Sequence, residues 1–418
     1  MRLMFEPIPP PAPDYIWQHT AWPRLIFETL ALAPALDQTR LEQGKLLGLL
    51  DAIGLQQAQE VQRELWVQEA LATAAIEGEQ LNLESVRSSV AHRLGLADAP
   101  GPDRPADGLV QVMQDTLANH HDGLTLDRLC RWQSALFPGG TSGIVRIAVG
   151  RWREHADAMQ IVSGTPGREQ VYYDAPPSRQ VATEMEQFLA WFEATRPAAN
   201  APALHGIARA ALVHVWFESI HPFEDGNGRL GRALVDMALA QDMQAHDPAT
   251  HAALVRVFGM AGQMLQTRTA YYDRLNQAQR LHGLKLDAAV IDMTSWVLWF
   301  VQAFTQGCMT CQAVVRQATE KAVSRLKASQ CGLNARQHKV LERLLDAGHT
   351  ALGGGFLGGM TNEKHAKITG TSKATATRDL TDLLAKGLLR VEGIGKATRY
   401  AVNVPGWHQP AIKSPANT

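Results

Sequence analysis

Between residues 221 and 232 the chain reads His221-Pro222-Phe223-Glu224-Asp225-Gly226-Asn227-Gly228-Arg229-Leu230-Gly231-Arg232. These twelve positions combine a base, a hard oxygen ligand and an anion cradle. His221, whose side chain titrates near neutral pH, can take a proton from a hydroxyl. Gly226 and Gly228 allow close backbone approach to a ligand. A loop that opens a helix also aims unpaired N–H groups and the positive end of the dipole at whatever sits there. Arg229 and Arg232, three apart, lie on neighbouring faces of that helix and suit phosphate oxygens. Asp225 adds a ligand of the kind Mg²⁺ takes, since this ion is held by one or two carboxylates together with its substrate's phosphates.

The loop needs two helices to position it. Apolar spacing predicts helices over 179–195 and 202–220 and another from residue 227 or 228 to about 243, so 225–228 joins the second to the third. Most of 109–304 has helical period. One stretch, 149–177, instead carries β-type residues and turn signals, with short strands expected at 149–153, 160–164 and 170–173. A hairpin inserted in a helical domain is often a flap over a site. Upstream, the spacing of Leu46, Leu47, Leu50, Ile53, Leu65, Ala70, Leu71 and Ala74 predicts an antiparallel helical pair over 41–96. The three prolines of 99–105 read as a linker. After an apolar stretch at 291–304 comes a long polar helix at 305–330, and the glycines of 353–359 read as a loop.

Composition narrows the class. With 418 residues, 45% of them apolar, and a formal charge of −1, the chain has room for two or three domains and no overall basic coat. Its four cysteines, Cys130, Cys308, Cys311 and Cys331, are too few and scattered for a disulfide framework, which points to a reducing compartment. Cys308 and Cys311 have half the spacing of a zinc site, with no second pair nearby, and read as two thiols on a helix. Prolines interrupt the first eleven residues, so no export signal is expected. The 291–304 stretch contains Asp292, Thr294 and Ser295 and is too short to cross a bilayer. A cytoplasmic protein without membrane contact is the expectation.

The 221–232 run resembles the signature of the Fic family, His-x-Phe-x-(Asp/Glu)-Gly-Asn-Gly-Arg-x-x-Arg, at each defined position. The resemblance implies a protein adenylyltransferase. His221 would deprotonate a target Ser, Thr or Tyr hydroxyl, which attacks the α-phosphate of ATP, releases pyrophosphate and leaves AMP on a target protein or on the enzyme itself. Asp225 would hold Mg²⁺, Asn227 and the backbone of Gly226 and Gly228 would line the anion hole, and Arg229 and Arg232 would hold the outer phosphates. The 149–177 hairpin resembles the family's flap, which aligns a target main chain by strand addition. Tyr271 and Tyr272 resemble a segment on the adenine side.

Thr73-Ala74-Ala75-Ile76-Glu77-Gly78 resembles the family's inhibitory motif, in which Glu77 would pair with Arg232 and occupy the place of the γ-phosphate. Tyr15-Ile16-Trp17-Gln18-His19 with Trp22-Pro23 resembles the start of a domain of unassigned function that often precedes Fic domains. Residues 333–404 resemble a winged helix, with helices at 334–347, 361–369 and 372–386 and β segments at 388–391 and 399–402. Eleven Lys/Arg against six Asp/Glu give this stretch a charge of +5 (11 − 6). Thr371, Ser372, Lys373, Thr375, Thr377, Lys396 and Arg399 are its candidate DNA contacts.

The expected fold is therefore mainly α, a helical Fic core with a small β-hairpin flap. Its divisions are an N-terminal helical domain (1–98), a catalytic domain (106–304), a connecting helix (305–332), a winged helix (333–404) and a tail (405–418). ATP, Mg²⁺, a target protein and possible DNA and homodimer contacts are the partners implied. The alternatives from the same residues are a nucleotide-sensing DNA-binding regulator, an enzyme that removes AMP, and one that uses another nucleotide donor.

Overall fold

The computed structural model describes residues 14–95, 104–156, 159–163, 170–197, 204–246, 258–282, 284, 289–346 and 359–404. The anticipated tail and most of the 99–105 linker and the 353–359 loop lie outside these residues. The described residues are mainly helical, with strands only in short pairs. They divide into two compact units. One comprises the residues up to 51 with 62–311, and the other 52–61 with those from 312 onward.

The chain opens with α1 (Thr29–Asp51), α2 (Leu55–Ile76) and α3 (Leu83–Arg93). This corrects the expected helical pair: α1 starts well before residue 41 and runs through Pro34. β1 (Leu25–Ile26) pairs in parallel with β6 (Ile291–Asp292). Next come α4 (Arg104–Ala118) and α5 (Leu126–Leu136), whose first turn is capped by Thr125 Oγ1 accepting from Arg128 N at 3.2 Å. Two hairpin-like pairs follow, β2 (Thr141–Ser142) with β3 (Val145–Arg146) and β4 (Gln160–Ser163) with β5 (Gln170–Asp174), both antiparallel. The expected strand at 149–153 does not form, because Arg153 is drawn into hydrogen bonds with the end of a helix described below.

α6 (Ser178–Ala194), α7 (Gly206–Ile220) and α8 (Asn227–His246) carry the centre of the first unit. Every residue of α7 is buried, as its apolar composition on all faces requires. Its polar exceptions are individually placed: Arg209 donates to Phe192 O at 2.6 Å, Thr195 Oγ1 at 3.0 Å and Gln241 Oε1 at 3.0 Å. α7 and α8 pack along one another. Fully buried Phe217, Ile220, Phe223, Leu230 and Leu234 line this core near the loop, each contributing about 1.5–3 kcal/mol. α9 (Met260–Gln266) and α10 (Arg268–Gln279) complete the site side.

The β4–β5 hairpin is held from behind by the N-terminal segment. Tyr15 packs edge-on against Tyr173 with ring centroids 5.0 Å apart, and Trp17 Nε1 donates to Asp174 O at 2.8 Å. The anticipated 291–304 stretch and 305–330 helix are one continuous helix, α11 (Thr294–Ser329), because nothing in its sequence breaks the period. Cys308 and Cys311 are buried on it, and no helix among the described residues is long and apolar enough to cross a membrane.

In the second unit α12 (Ala335–Asp346), α13 (Asn362–Thr369) and α14 (Lys373–Ala385) precede the antiparallel pair β7 (Leu389–Glu392) and β8 (Arg399–Val402), registered Leu389 to Val402. Thr361 caps α13 and Ser372 caps α14, with Gly370 at φ 66° making the turn between them. Val340, Leu341, Leu345, Leu380, Leu383 and Leu389 form its core.

Candidate active site

α7 ends because His221 takes the left-handed conformation, φ 50° and ψ 62°, while its N–H still bonds Phe217 O at 3.0 Å. It is the one non-glycine residue with positive φ among those described, a conformation that costs roughly 1 kcal/mol or more. Arg153 holds it there. Its Nε donates to His221 O at 2.8 Å, its Nη2 to Ile220 O at 3.2 Å and Pro176 O at 2.5 Å, and its Nη1 to Ser178 Oγ at 3.0 Å. Its backbone N–H bonds Pro222 O at 3.0 Å. Burial draws the Arg153 pKa down to about 10, which leaves the guanidinium charged at neutral pH.

The loop after His221 is clamped by Asn227, whose Oδ1 accepts from Phe223 N at 3.0 Å and whose Nδ2 donates to Phe223 O at 2.8 Å. Both ends of the carboxamide are thus engaged with the loop's own backbone. Gly226 has φ 90°, and a Cβ there would meet Phe137 Cε2 at 2.9 Å, so both conformation and space call for glycine. Glu224 Oε2 accepts from Ala148 N at 2.9 Å, which ties the outer side of the loop to the chain after β3.

At the start of α8 a side-chain carboxylate lies against the helix. A Cβ on Gly228 would lie 2.1 Å from Glu77 Oε1, so the Glu77 carboxylate rests directly on that glycine. The same oxygen accepts from Arg232 Nη2 at 2.6 Å, and Arg232 also donates to Thr73 O at 3.0 Å and to Thr73 Oγ1. Burial opposes the charge of Arg232, but Glu77, with Tyr271 and Glu218 adding, more than offsets this and its pKa rises above the usual guanidinium value. Arg229 is engaged from the same turn, its Nη1 donating to Glu79 Oε2 at 2.9 Å while its guanidinium stacks 4.7 Å over Phe137. Arg229 Nε and Arg232 Nη1 remain buried without a hydrogen-bond partner, two spare donors near the N-terminus of α8.

Asp225 hydrogen-bonds Ser142 Oγ through Oδ2 and accepts from Gly226 N through Oδ1, and its side chain is 40% exposed. It supplies one hard oxygen ligand. The described residues hold no group of three His, Cys, Asp or Glu suited to a metal, so an ion here would be completed by ligand phosphates, the arrangement Mg²⁺ accepts.

His221 and Glu218 face each other on the last turn of α7, with Nδ1 and Oε2 3.8 Å apart. Burial lowers the His221 pKa to about 4, with Arg153 adding to the effect, and raises that of Glu218 to about 8, with Glu77 adding. A cleft of about 550 Å³ opens beside them, walled by Glu77, Gly228, Tyr172, Arg268, Tyr272 and Asn276, with the β4–β5 hairpin at its rim through Ile161. Tyr272 lines it and donates to Ile76 O at 3.2 Å. Tyr271 is largely turned inward, 1% exposed, with its hydroxyl 2.9 Å from His214 Nε2.

Of the expected site residues, Glu77, His221, Gly228, Tyr271 and Tyr272 line this cleft, Arg232 and Arg229 are bonded to Glu77 and Glu79, and Asp225, Gly226 and Asn227 lie between His221 and Gly228. Sequence reasoning missed Arg153, Glu79 and Glu218. The signals were slight: Glu79 stands two residues beyond Glu77, and Glu218 three before His221. In the second unit Ser372 Oγ accepts from Thr375 N at 3.2 Å, Asn362 Nδ2 donates to Thr377 Oγ1 at 2.9 Å, and Lys373 pairs with Glu363 at 2.5 Å. Thr371 meets Thr369 at 2.9 Å, and Arg399 lies on β8 with Nη1 donating to Thr398 O at 2.8 Å. The Lys396 side chain lies outside the described residues.

A model of the Fic/DOC family matches residues 123–239, and one described as a domain of unknown function (DUF4172) matches residues 15–96. A protein adenylyltransferase Fic of Culex quinquefasciatus is 26% identical over 224 residues, 50% of this chain and 40% of its own length. A uridine 5'-monophosphate transferase of Xanthomonas campestris pv. campestris (strain 8004) is 32% identical over 117 residues, 28% of this chain and 21% of its own. The chain thus spans well under half the length of these curated relatives. Among solved structures, a Fic family protein from Desulfovibrio desulfuricans G20 aligns with a TM-score of 0.45 at 21% identity, covering 88% of this chain and 96% of that one.

Proposed function

From the premise that residues 123–239 are a Fic/DOC family domain, we propose that the chain is an autoinhibited protein adenylyltransferase. The observation that carries this reading is the Glu77 carboxylate lying on Gly228 and bonded to Arg232, a protein anion in the place built for a ligand's phosphate.

His221 takes the proton of a target Ser, Thr or Tyr hydroxyl on its outer nitrogen. The hydroxyl oxygen bonds to the α-phosphorus of ATP, and the bond to the pyrophosphate oxygen breaks. The N–H groups opening α8 and the spare donors of Arg229 and Arg232 receive the phosphate charge. Asp225 would hold Mg²⁺, which supplies charge neutralisation on the phosphates when bound. The β4–β5 hairpin aligns the target's main chain by strand addition. Glu77 acts as the brake: while it covers Gly228, the outer phosphates have no seat.

The Xanthomonas relative, named for uridine 5'-monophosphate transfer, favours keeping a second donor in view. For the second unit, its capped α13–turn–α14 arrangement beside a two-stranded sheet supports a winged helix that contacts DNA through the start of α14. The deciding test is intact mass of wild type, Glu77→Gly and Glu77→Gly/His221→Ala after incubation with Mg-ATP or Mg-UTP, alone and with cell lysate. An AMP-sized gain with Glu77→Gly that vanishes with His221→Ala supports base and brake together. A gain only with UTP moves the donor, and no gain with either nucleotide removes the transferase reading.

A further inference from the structure

A buried acid with an unsatisfied oxygen is costly, and Glu218 is one. Its side chain is 7% exposed, and its Oε1 has no hydrogen-bond partner. The Nδ1 of His221 is likewise buried, facing both the backbone carbonyl and the side-chain carboxylate of Glu218. These two groups are three residues apart, and the Oε2 of Glu218 lies 3.8 Å from the Nδ1 of His221. Catalytic hydrogen bonds are often long in unliganded proteins and tighten when the site fills.

We infer that Glu218 is the positioning residue for His221, its carboxylate accepting the Nδ1 proton and so fixing the tautomer whose Nε2 lone pair meets the incoming hydroxyl. The inference rests on His221 being the base of the transferase reading. With the Nδ1 proton held by Glu218, the hydroxyl proton goes to Nε2 as the oxygen–phosphorus bond forms. The electron pair of the broken bond leaves with pyrophosphate. The imidazolium keeps its Nδ1–H on the Glu218 carboxylate until the Nε2 proton passes to water. A protonated Glu218 would instead donate to Nδ1, place the ring proton on Nε2 and leave no base at the cleft.

The surroundings of Glu218 fit a group that changes charge in the working cycle. Gly231 of α8 makes room for it, since a Cβ there would lie 2.4 Å from Glu218 Oε1 and 3.3 Å from His214 Nδ1, which is buried against the Gly231 backbone. His214 in turn meets the Tyr271 hydroxyl from α10. The charged and titratable groups around Glu218 are His214 and His221 on its own chain segment, Arg232 from α8, Glu77 from the turn after α2 and Tyr271. Burial and Glu77 hold Glu218 protonated near neutral pH, and burial makes His221 a weak base, so ionising Glu218 is what restores basicity to the imidazole. Transfer then rises with pH through the titration of Glu218.

The experiment uses the full chain in the Glu77→Gly background, with Glu218→Gln and Glu218→Asp added. It reads kcat and KM for Mg-ATP from pH 6 to 9.5, melting temperature, and the ¹⁵N shifts of the His221 imidazole. Glu218→Gln is expected to leave KM within about threefold, lower kcat on the order of 10²-fold, flatten the alkaline rise and shift the tautomer ratio. Glu218→Asp is expected to retain part of the rise. Unchanged kcat, pH profile and ¹⁵N shifts in Glu218→Gln overturn the inference. Should Glu218→Gln fail to fold, Glu218→Asp decides, since loss of the rise there overturns it. If Glu77→Gly transfers nothing from any nucleotide, the transferase reading fails by itself. The ¹⁵N shifts still decide whether Glu218 sets the tautomer.

Discussion

Replacing Glu77 with glycine removes the anion that lies on Gly228 and engages Arg232 at 2.6 Å. A hydrogen bond between charged groups contributes about 1.5–3 kcal/mol. The Glu77 side chain is 34% exposed, so solvent screening places the net value near the low end, about 1.5–2 kcal/mol. At about 1.4 kcal/mol per tenfold, a nucleotide that must displace this carboxylate binds roughly 10–30-fold more weakly than to Glu77→Gly. Isothermal titration of the full chain with Mg-ATP at fixed salt measures the ratio directly. The apo variant should also melt lower by about 3–6 °C, because Arg232 is left buried with only Thr73, and should regain more stability than wild type on adding nucleotide. Glu77→Gln, which keeps the bulk and loses the charge, should fall between. Equal nucleotide affinity in wild type and Glu77→Gly, with Arg232→Ala abolishing binding in both, would refute the displacement argument.

Glu79→Ala should strengthen nucleotide binding by a smaller factor, about two- to fivefold, since Glu79 is 38% exposed and engages only Arg229; the same titration checks it. Arg153→Met should destabilise the protein by ~3 kcal/mol and lower kcat more than it raises KM, because the carbonyls of Pro176, Ile220 and His221 lose their donor; denaturant melts and steady-state rates separate the two effects. Burial depresses His214 to about 3 and His221 to about 4, so the folded state disfavours their charged forms. The stability they contribute is present above their unfolded pKa of ~6.5 and is lost as pH falls through that value toward 4 and 3. A melting series from pH 7 to 4 should therefore decline, less steeply in His214→Gln, and parallel curves would count against this assignment. Mobility shifts of the full chain on duplex DNA should weaken with salt, with Lys373→Ala lowering the salt slope by ~1. No shift at ~50 mM salt would remove DNA contact from the second unit.

The amino-acid sequence by itself determined the features whose causes are local. Base, carboxylate, glycines and arginines of 221–232 lie in one continuous run, and Gly226 adopts the positive φ its type allows. The β4–β5 hairpin and the helices beginning near Thr361 and Ser372 were legible for the same reason, because a strand turn or a helix start is settled within a few residues. Only the tertiary structure decided which groups meet across the chain. The Glu77–Arg232 pair was expected only through the family resemblance and the Glu79–Arg229 pair not at all, because both depend on where the end of α2 arrives relative to the start of α8, about 150 residues away. That Arg153 leaves a would-be strand to hold the end of α7 depends on three carbonyls brought together by packing. Glu218 reads in sequence as one more helical glutamate. Its Oε1 is left unsatisfied because α7 is buried on every side, where water can no longer supply the hydrogen bond that oxygen would otherwise accept.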